Sequence, residues 1–166
     1  GFIGTHGNRI ANVIGDSCDL IIAIGVRLGL RQVGNETAKF APNAKLIRAD
    51  IDEFELARSI KTDEEKYLID AKDFFTKLLD ENIPKYSAWK EKCFQAKKIL
   101  QDYDVETGNM VVEKISSLLP ENPIVSVDVG QHQCWSAQSL HLKGKNGRIL
   151  IGGGYGCMGC SLPWAL

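Results

Sequence analysis

The run Leu20-Ile21-Ile22-Ala23-Ile24 contains no polar side chain. A strand sends successive side chains to opposite faces, so an apolar run without alternation predicts a strand covered on both faces, as in parallel sheets. Parallel strands need crossover connections, usually helical. Residues 8–16 place Ile10, Ala11, Val13 and Ile14 on one helical stripe just ahead of the run. A second strand is predicted at 45–49, ending in Asp50-Ile51-Asp52. It is followed by a short helix at 53–60, a weak strand at 67–69 and an amphipathic helix at 70–79. This alternation predicts an α/β fold of parallel-sheet layers with helices. Residues 25–37 carry Arg27, Arg31 and Gln32 among glycines and predict a functional loop at the carboxyl end of the first strand, rather than another regular element.

Composition shifts at residues 82–103, which are rich in lysine and glutamine and read as a linker with helical character. Beyond it a helix is predicted at 110–119, stopped by Pro120, then strands at 124–127 and 148–151. Half of the 16 glycines fall between Gly130 and Gly159, so this last third reads as backbone turns around short strands. The domain boundaries expected from this are 1–81, a helical linker at 82–107, and 108–166.

Lysine and arginine total 20 against 21 acidic residues, for a net charge of -1, which offers nothing to attract a nucleic acid or an anionic membrane surface. The longest apolar stretch, 20–26, falls well short of the roughly 20 residues that span a bilayer. Five cysteines, an odd and scattered set, do not resemble the framework of a secreted domain and predict a reducing, cytoplasmic setting. The chain opens on Gly1 without an initiator methionine and closes at Trp164-Ala165-Leu166, where an apolar helix has barely begun, so a fragment is expected.

The densest chemical signal is Ile149-Leu150-Ile151-Gly152-Gly153-Gly154-Tyr155-Gly156-Cys157-Met158-Gly159-Cys160-Ser161-Leu162-Pro163, a strand running into glycines and then a helix. Gly154-x-Gly156-x-x-Gly159 matches the dinucleotide fingerprint in form, but the acidic partner that reading needs about 20 residues onward would lie past Leu166. Cys157-Met158-Gly159-Cys160 has the spacing of a zinc or thiol-exchange pair. Zinc would need two further ligands from Cys134, His132 or His141, and no second paired knuckle exists, so packing cysteines are expected. A third reading joins this loop to Ser126-Val127-Asp128-Val129-Gly130-Gln131-His132-Gln133-Cys134-Trp135, which leaves the carboxyl end of a predicted strand, where open α/β sheets bind ligands.

Together these two segments resemble the cofactor-binding domain of thiamine-diphosphate-dependent enzymes, specifically the acetolactate (acetohydroxyacid) synthase large-subunit group. Gly4-Thr5-His6-Gly7, Ala11-Asn12, Gly25-Val26-Arg27, Phe40-Ala41-Pro42 and Asp50-Ile51-Asp52 resemble the same group's central, Rossmann-like domain. The likeness covers nearly the whole chain, which would comprise part of each of two domains.

The resemblance implies that Gln131 and His132 contact the diphosphate of thiamine diphosphate, with Val129 and Gly130 shaping the turn that brings them close. It implies that Gly156, Cys157 and Met158 hold the aminopyrimidine through backbone groups, with Met158 as an apolar wedge beneath the cofactor and the Cys157 side chain idle. It also implies that Gly4, His6, Gly7, Gly25, Arg27, Arg31, Asp50 and Asp52 form a site for FAD or another nucleotide. Gly29 and Leu30 stand where that group carries paired aspartates, and other thiamine enzymes hold ADP, FAD or nothing there. The implied reaction decarboxylates pyruvate and condenses the hydroxyethyl unit with a second 2-keto acid. The runner-up is another thiamine-diphosphate decarboxylase, oxidase or carboligase; an inactive nucleotide-binding fragment is the reading outside enzymes. The activating glutamate would come from an amino-terminal domain of a partner subunit in a homodimer or tetramer. Mg2+ would be held by a Gly-Asp-Gly…Asn motif beyond Leu166. The chain alone would then be inactive.

Overall fold

The computed structural model describes residues 2–100 and 107–166. It divides into two compact units. One takes residues 3–5 and 10–100 of the described chain, and the other takes residue 2, residues 6–9 and residues 107–166.

The first unit begins with α1 (Arg9–Ser17), whose first residue the other unit claims, and continues through β1 (Leu20–Ile24), α2 (Leu30–Val33), β2 (Lys45–Asp50), α3 (Glu53–Ala57), β3 (Glu65–Leu68), α4 (Ala71–Asp80) and α5 (Ser87–Leu100). The three strands form a parallel sheet in the order β1-β2-β3, with Leu20 opposite Lys45 and Ile47 opposite Glu65. Leu46 is sealed completely, and Ala23, Leu28, Val33 and Ile60 close the core around it, with Ile21 and Phe40 packed alongside. Burying a leucine of this kind stabilises by about 1.5–3 kcal/mol relative to leaving it in water. Two local acids start the helices. Asp52 accepts from the amides of Phe54 and Glu55 at the head of α3, and Asp70 accepts from that of Lys72 at the head of α4.

A charge sits inside this unit. Arg48, in the middle of β2, is 1% exposed. Its Nη2 donates to the Glu55 carbonyl at 2.7 Å, and its Nη1 donates to the Arg58 carbonyl at 2.6 Å and faces Glu64 at 3.5 Å. The Glu64 carboxylate also accepts from the amides of Ile60 and Lys61 and pairs with Lys66. Buried charges persist only where such partners exist.

Two expectations need correction here. Among the described residues only one face of β1 is covered: Leu20 and Ile22 are 39% and 37% exposed, while Ile21 and Ala23 turn toward the core. Among those residues β1 comes first in the sheet order and alternates as a half-buried strand does. Residues 25–37 are not wholly a loop either, since Leu30–Val33 form α2 and the first turn of a 3-10 helix starts at Thr37. The Gln32 side chain accepts from the Gly29 amide at 3.0 Å and starts α2 without any apolar stripe in the sequence.

The second unit contains α6 (Thr107–Leu118), β4 (Ile124–Val127), α7 (Gln131–Ser139), β5 (Arg148–Ile151) and α8 (Ser161–Ala165). β4 and β5 pair in parallel, Ile124 opposite Arg148 and Val127 opposite Ile151. α6 and α7 touch closely: a Cβ at Gly108 would fall 2.1 Å from the Trp135 ring. Buried Asn109 donates to Gln138 and Ser139 across the same contact at 3.0 and 2.9 Å. The reading of the last third as turns is overturned by α7, which buries Gln133, Ser136 and Ser139. Polar residues on the inward face made that helix invisible to a search for apolar periodicity. Of the segment read as a linker, residues 101–106 lie outside the described residues; α5, which buries none of its residues, occupies most of the rest.

Candidate cofactor-binding site

β4 ends at Val127, and the next residue organises everything downstream of both strands. The Asp128 carboxylate accepts from the amides of Val129 at 2.7 Å, Gly159 at 2.9 Å and Ser161 at 3.2 Å, and from the Ser161 hydroxyl at 3.0 Å. The first of those donors opens the Val129-Gly130 turn; the others close the glycine loop that follows β5. One side chain therefore ties together the two segments singled out in the sequence. The Val129 amide above all, then those of Gly159 and Ser161 and the Ser161 hydroxyl, hold the Asp128 carboxyl down to about 2 from its ordinary 3.8, against the opposing effect of partial burial. Ser126 adds a second tie, its hydroxyl donating to the Ser161 carbonyl at 2.7 Å.

The residues expected to meet a diphosphate follow directly. Val129 is half-buried in the turn, and Gly130 forms the N-cap of α7. A Cβ at Gly130 would meet the His132 ring at 2.9 Å, so only glycine leaves that ring its place. Gln131 and His132 occupy the first turn of α7 with exposed side chains. His132, Asp128 and Ser161 line one cavity of about 910 Å³, whose apolar wall includes Val111, Val112 and Trp135.

The residues expected to meet the pyrimidine lie on the glycine loop. Gly156 and Gly159 have φ of +67° and +87°, conformations that L side chains rarely adopt. Cys157 is exposed and Met158 is 82% exposed, standing free of the core. The five cysteines are free thiols. Among the described residues no three histidine, cysteine or acidic side chains are grouped to hold a metal ion.

The residues expected to hold a nucleotide are only partly brought together. Because β1 and β2 are parallel, Gly25-Val26-Arg27 and Asp50-Ile51-Asp52 lie at the same, carboxyl edge of the sheet, and the Gly25 amide donates to the Ala49 carbonyl at 2.8 Å. Gly4 and Arg31 also meet: the Thr5 amide donates to the Arg31 carbonyl at 2.8 Å, and a Cβ on Gly4 would overlap that oxygen. Asn12 brackets Gly4, accepting from its amide and donating to its carbonyl. His6 and Gly7 fall in the other unit. Both acids have local duties, Asp50 accepting from the Asp52 amide and Asp52 capping α3. Arg27 is paired with Glu55 at 2.9 Å.

Sequence reasoning missed Leu28 and Arg58 at this edge. Leu28, 2% exposed, has a φ of +50°, a strained conformation for a bulky side chain. The Arg58 guanidinium holds it there by donating to the carbonyls of Arg27 and Leu28. It also missed Asp128. No local signal marks either contact, since the partners lie 30 to 33 residues apart along the chain.

The segments after β1, β2, β4 and β5 leave the carboxyl ends of two small parallel sheets, the end at which open α/β sheets bind ligands. Residues 1–78 match the family described as thiamine pyrophosphate enzyme, central domain, and residues 128–166 match thiamine pyrophosphate enzyme, C-terminal TPP binding domain; the chain belongs to the thiamine pyrophosphate enzymes. Its relatives carry the name acetolactate synthase. The chain is 34% identical to a protein named probable acetolactate synthase large subunit from Methanocaldococcus jannaschii, over 100% of this chain and 30% of that protein. It is 33% identical to acetolactate synthase isozyme 1 large subunit from Escherichia coli, again over 100% and 30%, and 32% identical to acetolactate synthase 1 from Nicotiana tabacum, over 99% and 26%. The chain thus spans about 30% of the length of the curated relatives it matches. No helix among the described residues is long and apolar enough to cross a membrane.

Proposed function

We propose that this chain is the part of a thiamine-diphosphate-dependent, acetolactate-synthase-like enzyme that holds both ends of the cofactor. The observation that carries the reading is the Asp128 carboxylate, which gathers the amides of Val129, Gly159 and Ser161 and so draws the two cofactor segments to one point. The Gly130 cradle supports the fit, since its missing Cβ leaves the His132 ring beside the backbone. In this reading Gln131 and His132 donate hydrogen bonds to phosphate oxygens from the head of α7, where backbone amides also favour an anion. The Gly156 carbonyl and the Met158 amide hold the pyrimidine edge, and the Met158 side chain supplies a flexible apolar support. Cys157 contributes only backbone. Thiamine diphosphate, when bound, supplies the electron sink that lets a 2-keto acid lose carbon dioxide. The proposed overall reaction takes pyruvate and a second 2-keto acid to an acetohydroxy acid.

The proposal extends to the rest of the assembly. Residues 1–81 form part of a central domain, 82–107 a linker and 108–166 part of the cofactor domain. The parent protein is a cytoplasmic homodimer or tetramer, and Mg2+ is held, as the resemblance implies, by residues beyond Leu166. FAD or another nucleotide would lie at the carboxyl edge of β1 and β2. Gly25 lies at that edge, and the Arg27–Glu55 pair would have to open. On its own the chain would lack the activating glutamate and be inactive.

Titrating the full-length protein with thiamine diphosphate and magnesium, then assaying acetohydroxy acid from pyruvate, tests this. Saturable cofactor binding that weakens in His132→Ala is expected, as is flavin absorbance if the nucleotide site is filled. Unchanged affinity in His132→Ala would remove the assigned role.

A further inference from the structure

The Cys157-Met158-Gly159-Cys160 pair is the one sequence motif that the cofactor reading leaves without a task. Its backbone forms a turn with Met158 and Gly159 at the two corners. A φ of +87° at Gly159 is what the third position of a type II turn demands. The cysteines are therefore the first and fourth residues of that turn, whose Cα atoms lie within roughly 7 Å of each other. Disulfides bridge Cα atoms about 4.4–6.8 Å apart, so the two Cα atoms of the turn fall where a bridge can close.

Their surroundings divide the labour. Cys157 is exposed to solvent, whereas Cys160 is half-buried. The Cys160 Sγ lies 3.0 Å from where a Cβ on Gly152 would stand, so it occupies the base of the loop between its two stems. The Asp128 carboxylate grips the amides on either side of Cys160, those of Gly159 and Ser161. The fourth residue of the turn is therefore anchored and the first is free to approach it.

We propose that Cys157 and Cys160 form a reversible disulfide under hydroperoxide, a redox modification site that controls the glycine loop. In the first step the Cys157 thiolate attacks one peroxide oxygen; an S–O bond forms, the O–O bond breaks, and the departing hydroxide takes up the proton the thiol released and leaves as water. In the second, the Cys160 sulfur attacks Cys157; the S–S bond forms, the S–O bond breaks and a second water leaves. Two thiols lose two electrons and one hydrogen peroxide becomes two waters. Burial, and after it the nearby Asp128 charge, pushes the Cys160 thiol up, so the exposed Cys157 rather than Cys160 is the one that meets the peroxide.

The consequence for function rests on the proposed cofactor reading. The bridge fixes the peptide planes flanking Cys157, the same groups assigned to the pyrimidine, and oxidation is expected to weaken thiamine diphosphate binding on the order of tenfold. Trypsin cleaves after Arg148, and no lysine or arginine follows through residue 166, so both cysteines fall in the one peptide that begins at Ile149. After exposure of the full-length protein to hydrogen peroxide, mass spectrometry should find that peptide lighter by two hydrogens, and dithiothreitol should restore it. Cys157→Ser and Cys160→Ser should each abolish the change. Both thiols remaining alkylatable, or either pairing with Cys18, Cys93 or Cys134, would overturn the proposal. Equal cofactor affinity in the reduced and oxidised proteins would overturn the control function. Absence of binding in both, with the disulfide present, would instead refute the cofactor reading and leave the modification site standing.

Discussion

The two units each hold a charge on fixed hydrogen-bond partners, and they put it to different uses. Arg48 is enclosed in the sheet of the first unit and spends its guanidinium on the carbonyls of Glu55 and Arg58 and on Glu64. Asp128 stands at the end of a strand in the second and spends its carboxylate on the amides of two loops. An enclosed charge fixes the packing of its own core. A charge at the carboxyl edge of a sheet fixes the shape of what lies beyond it. The contrast separates residues whose loss unfolds a unit from residues whose loss deforms a site.

The contrast breaks first at its stability end. Arg48→Met should destabilise the first unit by about 3–5 kcal/mol in urea unfolding, because it leaves Glu64, whose side chain is 2% exposed, short of its buried partner. A loss below roughly 1 kcal/mol would show that the enclosed charge does not fix the core. Asp128→Asn tests the other end. It keeps the shape but loses the charged acceptor, and thiamine diphosphate affinity of the full-length protein should fall between about tenfold and a hundredfold, as for other supporting partners of a ligand site. Amide exchange at Gly159 and Ser161 should quicken while unfolding of the first unit stays unchanged. Exchange at those amides equal to wild type would erase the distinction between the units.

Gly159→Ala sharpens the comparison at a smaller scale, forcing a Cβ into a φ of +87° at a cost of about 1–2 kcal/mol, visible as a lowered unfolding midpoint of the second unit only. The smallest effect comes from pH. The Asp128 pKa is lowered in the folded state, so its contribution is complete above about pH 4 and disappears as the carboxyl protonates toward about pH 2. Tryptophan fluorescence of the second unit should report a local change in that window that Asp128→Asn lacks.

The parallel α/β architecture and the positions of the main strands were legible because apolar runs and their helical neighbours obey simple periodicities. α7 was not, because its inward residues Gln133, Ser136 and Ser139 are polar and are satisfied by partners such as Asn109 that come from another helix. α2 was hidden for a similar reason, its start being set by the Gln32 side chain rather than by an apolar stripe. In the candidate site, the glycines stood out by their density and the His132 segment by its resemblance to a family motif. Asp128 did not, since its importance lies in amides 31 and 33 residues away along the chain. The strained Leu28, held by an arginine 30 residues later, is equally unreadable from local sequence.

Hydrogen exchange of the full-length protein during a thiamine diphosphate titration tests the shared-cofactor claim most directly. Slowed exchange should develop at residues 129–132 and at residues 156–158 together, with one common midpoint. Protection confined to one segment, or two separate midpoints, would mean that the two loops serve different ligands.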